Sequence, residues 1–233
     1  MFGVPAVPAG APGPPGPGEE GGCSSESQAA KNDLFFGDGQ HHSQGYFELP
    51  TGAGPRHLAF GAARGGSGST AFFVYILCEL SASIVVASFD ACSGHFEQLQ
   101  SLDAMDNGVA CSRAHHSGCS GIVVSSGSGS DTDGTLYATS RTDSKVNVFR
   151  VDKDTGLLTR LGSVPSHGIG PRSLCLDSAA GRLHVANKDS QNVVTYTLGA
   201  DGMVTDDGQH TVTMLPATCP DCIAINTSPD YYY

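Results

Sequence analysis

The chain is constrained most by a pattern that returns three times. The segments "FFVYILCELSASIVVASFD" (72–90), "TLYATSRTDSKVNVFRVD" (135–152) and "RLHVANKDSQNVVTYTLG" (182–199) share one reading. Each is an apolar strand, a polar turn of about four residues, and a β-branched strand that alternates apolar and polar. A further strand follows each, at 95–102, 157–164 and, less regularly, 203–214. Two of the three units open on near-identical steps, "GAGPRHLAF" (52–60) and "GIGPRSLCL" (168–176). Helical periodicity is absent. Four short antiparallel strands per unit, repeated every forty to fifty residues or so, is the pattern of propeller blades. An immunoglobulin-like sandwich would not return the same motif at the same step of successive units. The expected fold is therefore all-β: a β-propeller of four-stranded antiparallel blades, incomplete, with about three full blades plus parts of two more. The expected boundaries are a blade tail at 33–50, blades at about 55–105, 118–166 and 170–214, and the opening strand of a further blade at 218–227.

The repeat also aligns charges. Counting back eleven residues from Asp90, Asp152 and Gly199 gives Glu79, Arg141 and Lys188. One structural position, at the end of a blade's second strand, thus carries a charge in three consecutive units. Arg56 and Arg172 stand where their blades' innermost strands begin. If the blades are wound alike, all five face one end of a common channel.

Composition sets the limits. Residues 1–32 hold a Pro/Gly/Ala run with nothing to bury, and read as a disordered leader. They lack the basic and apolar regions of a secretory signal, and no stretch reaches the length of a membrane span; a cytoplasmic protein with no membrane partner is the expectation. A formal net charge of −11 argues against nucleic acid. With only 12 Lys and Arg in the chain, arginines gathered at one place carry information. The eight cysteines follow no regular framework and read as free thiols. Cys219 and Cys222 form a lone CxxC with no second ligand pair, so no metal site is expected.

"GPRHLAF", "CELSASIVV", "LYATSRTDSKVNVFRVD", "GPRSLCLD" and "HVANKDSQNVVTY" together resemble the seven-bladed β-propeller lactonases. That family includes the propeller-type 6-phosphogluconolactonases and the fungal carboxy-cis,cis-muconate cyclases. The resemblance runs from about residue 45 to 226 and covers the C-terminal part of such a protein. It implies Arg56, Glu79 and Arg141 as catalytic residues, at the family's GPRH, NEL and SNR motifs. Two departures stand out: Cys78 precedes Glu79 where Asn is usual, and Arg141 lies in "TSR". The family's catalytic histidine has no match, since His41, His42, His115 and His116 lie on unrelated patterns.

The resemblance implies hydrolysis of an anionic sugar-acid lactone, without a cofactor or metal. Guanidinium groups suit both capture of an anion and stabilisation of the oxyanion, and Glu79 would serve as general base. A muconate-type cycloisomerase and a non-catalytic binding scaffold remain alternatives. Arg172, Lys188 and His57 are candidate substrate-binding residues, each with a plainer reading. Arg172 could bridge blades to Asp177 or Asp189, Lys188 could be a solvated loop charge, and His57 could point away from Arg56 into blade packing, because side chains alternate along a strand. An open arc of blades would leave edge strands available for self-association.

Overall fold

The computed structural model describes residues 46–63, 71–105, 118–125, 133–204, 210–215 and 219–225. The expected leader, most of the blade tail at 33–50, and His41, His42, His115 and His116 lie outside them. The described residues form three four-stranded antiparallel sheets. The first blade is β1 (Pro55–Ala63), β2 (Ala71–Cys78), β3 (Ser83–Asp90) and β4 (His95–Asp103). The second is β5 (Cys119–Ser125), β6 (Gly134–Ser140), β7 (Lys145–Val151) and β8 (Leu158–Pro165), and the third β9 (Pro171–Asp177), β10 (Arg182–Asn187), β11 (Asn192–Thr197) and β12 (His210–Met214). Consecutive strands pair within each sheet, and β5 packs against both β1 and β9, so these first strands run side by side on the inner face. Residues 46–50 and 219–225 carry no strand, in contrast to the flanking strands expected there.

Burial follows position in the blade. β6 is buried along its whole length, covered by a blade on either side, and β2 along most of it, covered by the second blade on one side and by Phe47 and Leu49 on the other. Such strands read as continuous apolar runs rather than alternating ones. β4, at the outer edge, is largely exposed. One core joins Phe73, Tyr75, Leu77, Ile84 and Val86 of the first blade to Ile122, Leu136, Ala138 and Phe149 of the second. Another joins Tyr137, Val146 and Val148 to Leu174, Leu183, Val185 and Val194 of the third. On β1, Leu58 and Phe60 remain 54% and 53% exposed.

The repeat extends to backbone detail. The four-residue turns 79–82, 141–144 and 188–191 each end in a non-glycine residue at positive φ: Ala82 (52°), Ser144 (53°) and Gln191 (54°). Three unrelated side chains in this uncommon region at one step show that the turn geometry, not the residue, is repeated. The residue that opens each turn donates its amide N–H to a glycine carbonyl ahead of the first strand: Glu79 to Gly54 at 2.7 Å, Arg141 to Gly118 at 3.1 Å and Lys188 to Gly170 at 2.9 Å.

A tyrosine latch ties each blade to the next. Tyr75, buried in mid-β2, donates its hydroxyl to the Gly156 carbonyl of the second blade at 3.1 Å. Tyr137, at the equivalent step of β6, donates to the Gly202 carbonyl of the third blade. Gly156 and Gly202 have φ of 69° and 75°, and a Cβ on either would strike the preceding blade at Phe73 or Thr135. Burial pushes the Tyr137 phenol up to about 12 and raises Tyr75 further, so both keep the proton they donate. Tyr75→Phe and Tyr137→Phe each leave a carbonyl short of a donor and should cost about 1 kcal/mol. The expected drop in the thermal midpoint is about 2–4 °C per variant. Midpoints equal to wild type would mean that the apolar contacts alone hold the blades.

Candidate functional site

The site begins with a fault in the ladder. Opposite β2, register passes from the Pro55–Cys78 pair to His57–Leu77, leaving Arg56 as an extra residue. On β9 the same slip falls between Pro171–Asn187 and Ser173–Ala186, leaving Arg172 extra. On β5 it falls between Cys119–Ser140 and Ile122–Ala138, at Ser120 and Gly121. A bulge breaks strict alternation and re-aims the side chain it carries. Three bulges at the head of three inner strands present Arg56, Ser120 and Arg172 to the same end of the channel.

They are linked in sequence. Arg56 donates through one terminal nitrogen to the Ser120 carbonyl, and the Ser120 hydroxyl donates to the Pro171 carbonyl. The buried Ser120 hydroxyl also lies 3.1 Å from that of Thr139. The second blade thus replaces arginine by a residue that anchors its neighbours.

Glu79 lies between two guanidinium groups from different blades. Arg56 Nε is 3.4 Å from Glu79 Oε2, and Arg141 donates to Glu79 Oε1. Arg141 Nε also donates to the Gly118 carbonyl at 3.3 Å. All three side chains are largely buried, with 18%, 24% and 13% of Arg56, Glu79 and Arg141 exposed. Burial lowers the Arg56 guanidinium below its ordinary value; Glu79 opposes that shift, while Arg141 and Arg172 add to it. The sequence-predicted catalytic residues therefore meet at one place, and Arg172 acts within the same field. A guanidinium–carboxylate–guanidinium arrangement of this kind can hold an anion or stabilise charge developing on oxygen.

One plainer sequence reading gives way here. Arg172 pairs with neither Asp177 nor Asp189: its Nε lies 3.0 Å from Asp221 Oδ1. Lys188 is a partly exposed charge on the turn after β10, and its Nζ lies 3.2 Å from the same oxygen. Asp221 was absent from the sequence-based set. Its signal was the Pro220-Asp221 step, which repeats Pro55-Arg56 and Pro171-Arg172 with the charge reversed.

His57 also departs from expectation. Alternation would send its side chain away from Arg56, but the bulge spoils the alternation. The ring lies exposed beside the Arg56 guanidinium, its Nδ1 and Nε2 3.3 and 3.2 Å from one terminal nitrogen. Partial burial, and then the Arg56 charge, lower its pKa, so the ring is neutral at neutral pH. Among the cysteines Cys92 is disulfide-bonded, contrary to the free-thiol reading, whereas Cys78, Cys119, Cys175, Cys219 and Cys222 are free.

Three four-stranded antiparallel blades, with arginines at the heads of two of their inner strands, define part of a β-propeller. The chain belongs to the lactonase, seven-bladed beta-propeller family, whose model matches residues 35–221. It is 32% identical to the 6-phosphogluconolactonase of Pectobacterium carotovorum over 66% of this chain and 42% of that protein. To the 6-phosphogluconolactonase of Pectobacterium atrosepticum it is 30% identical, over 75% and 48%. A crystal structure of a candidate 6-phosphogluconolactonase from Bacteroides fragilis superposes with a TM-score of 0.55 at 25% identity, covering 76% of this chain and 43% of that one. The chain spans about half the length of the curated relatives it matches. No helix among the described residues is long and apolar enough to cross a membrane.

Gly118 sets how closely the blades approach at the site. A Cβ there would overlap the Glu79 carbonyl oxygen and crowd Glu79 Cγ. Backbone cannot yield as a flexible side chain can, so Gly118→Ala should destabilise the fold by roughly 1–3 kcal/mol, as overpacking does. Chemical unfolding would measure it. An unchanged unfolding midpoint would mean that the first two blades can separate here without loss.

Proposed function

We propose that the mouth hydrolyses an anionic sugar-acid lactone, in the manner of a 6-phosphogluconolactonase. The observation that carries this reading is Glu79 held between Arg56 and Arg141, two cations from separate blades around one carboxylate. Water adds to the lactone carbonyl carbon, and the carbonyl oxygen gains negative charge. The ring C–O bond then breaks, the ring oxygen leaving as a hydroxyl and the acyl carbon as a carboxylic acid, which releases its proton to solvent to become a carboxylate. Arg56 and Arg141 supply N–H donors to the oxyanion from a partly desolvated position, where their charge is less screened than in bulk water. Glu79 takes the proton from the attacking water and returns it to the ring oxygen. The same carboxylate fixes both guanidinium groups before substrate arrives, which spares the reaction that reorganisation.

The shared name of the curated relatives supports the substrate class. A muconate-type cyclisation would call on the same cations, and hydrolysis is the reading those relatives favour. A phosphorylated lactone does not cross membranes unaided, which supports a cytoplasmic setting for the proposed activity.

The full chain, assayed by base uptake at constant pH, should open 6-phosphogluconolactone faster than buffer does. Arg141→Ala should reduce kcat by about 100-fold or more, the scale for losing an oxyanion donor. A wild-type rate equal to buffer, or an Arg141→Ala rate equal to wild type, overturns the reading.

A further inference from the structure

The mouth holds a second three-charge cluster with the order of signs changed. In the first, a carboxylate at the end of a second strand joins cations from two blades. In the second, Arg172 at a bulge and Lys188 at the end of β10 share Asp221, which comes from the segment following the third blade. Asp221 also acts on Arg56 across the mouth, raising what Arg172 lowers, so both clusters belong to one field.

The two carboxylates are held very differently. Glu79 sits at a strand end, its amide tied to Gly54 and its backbone packed against Gly118. Asp221 is 54% exposed, on a segment without strand structure. Besides the Asp221 ion pairs, that segment meets the third blade through the Ile223 amide, which donates to the Ser173 side-chain Oγ at 3.3 Å. Exposed ion pairs contribute little. Asp221 Oδ1 approaches Arg172 at Nε, and a guanidinium carries two further amino groups that can take a bidentate partner.

We propose that Arg172 and Lys188 form a subsite for a phosphate monoester, and that Asp221 is its displaceable counter-ion, covering the two cations until a dianion takes its place. This rests on the lactonase reading and adds which residues take the phosphate. A dianion with three acceptor oxygens satisfies a guanidinium fork and an ammonium together more fully than the Asp221 carboxylate, whose Oδ1 is shared by Arg172 and Lys188 and whose Oδ2 accepts only a long 3.5 Å bond from Lys188 Nζ. Asp221 in the vacant mouth lowers the affinity for weaker anions and so contributes selectivity for phosphorylated substrates.

Calorimetric titration of the full chain with 6-phosphogluconate and with gluconate tests the proposal. The phosphorylated probe should bind more tightly. Arg172→Gln or Lys188→Gln should erase the difference. Asp221→Asn, an exposed and nearly isosteric change, should tighten 6-phosphogluconate binding by about three- to tenfold, in keeping with the strength of charge-assisted bonds to phosphate. Weaker or unchanged 6-phosphogluconate binding by Asp221→Asn makes Asp221 a structural tether and overturns the proposal. Equal affinity of wild type for both probes overturns the subsite alone. Binding of neither overturns the subsite and the lactonase reading together.

Discussion

The structure depends on one backbone irregularity placed at the same step of every blade. A regular ladder would leave the first residues of each inner strand alternating between its two faces. The bulge inserts one residue there and turns it toward the channel end, where the residue just past the second strand also emerges. Fold repetition then does what no local motif could. It brings Arg56, Glu79 and Arg141, far apart in the chain, into a single contact.

Bringing cations this close would be unfavourable without compensation. Arg56 is pushed toward losing its proton by burial and by both neighbouring arginines, and Glu79 offsets this. The protein meets the problem twice, with Glu79 for one pair and Asp221 for the other. In a chain of net charge −11 these are local positive regions set in a negative surface, an arrangement that focuses an anionic ligand on the mouth. In the proposed reading, the rigidly mounted carboxylate serves the chemistry and the loosely mounted one serves binding.

Much of this was legible in the sequence because it repeats. The second and third strands announced themselves as apolar runs around polar turns, and counting back from Asp90, Asp152 and Gly199 located Glu79, Arg141 and Lys188, each one residue past a second strand. What was not legible depended on register. His57 was turned away by a rule of alternation that holds only in an unbroken ladder, and the bulge at Arg56 has no signature in residue type. Asp221 was hidden for another reason: its segment forms no strand, and its charge is opposite to that of the arginines it aligns with. Arg172 was consequently matched on paper with Asp177 or Asp189, and Lys188 with no partner.

The central claim is that groups from separate blades are energetically one unit at the mouth. A double-mutant cycle on Glu79→Gln and Arg141→Gln, followed by chemical unfolding, tests it most directly. The account requires a coupling free energy of about 1 kcal/mol or more between residues that share a buried charge contact. Additivity within about 0.3–0.5 kcal/mol, the behaviour of independent sites, would contradict it.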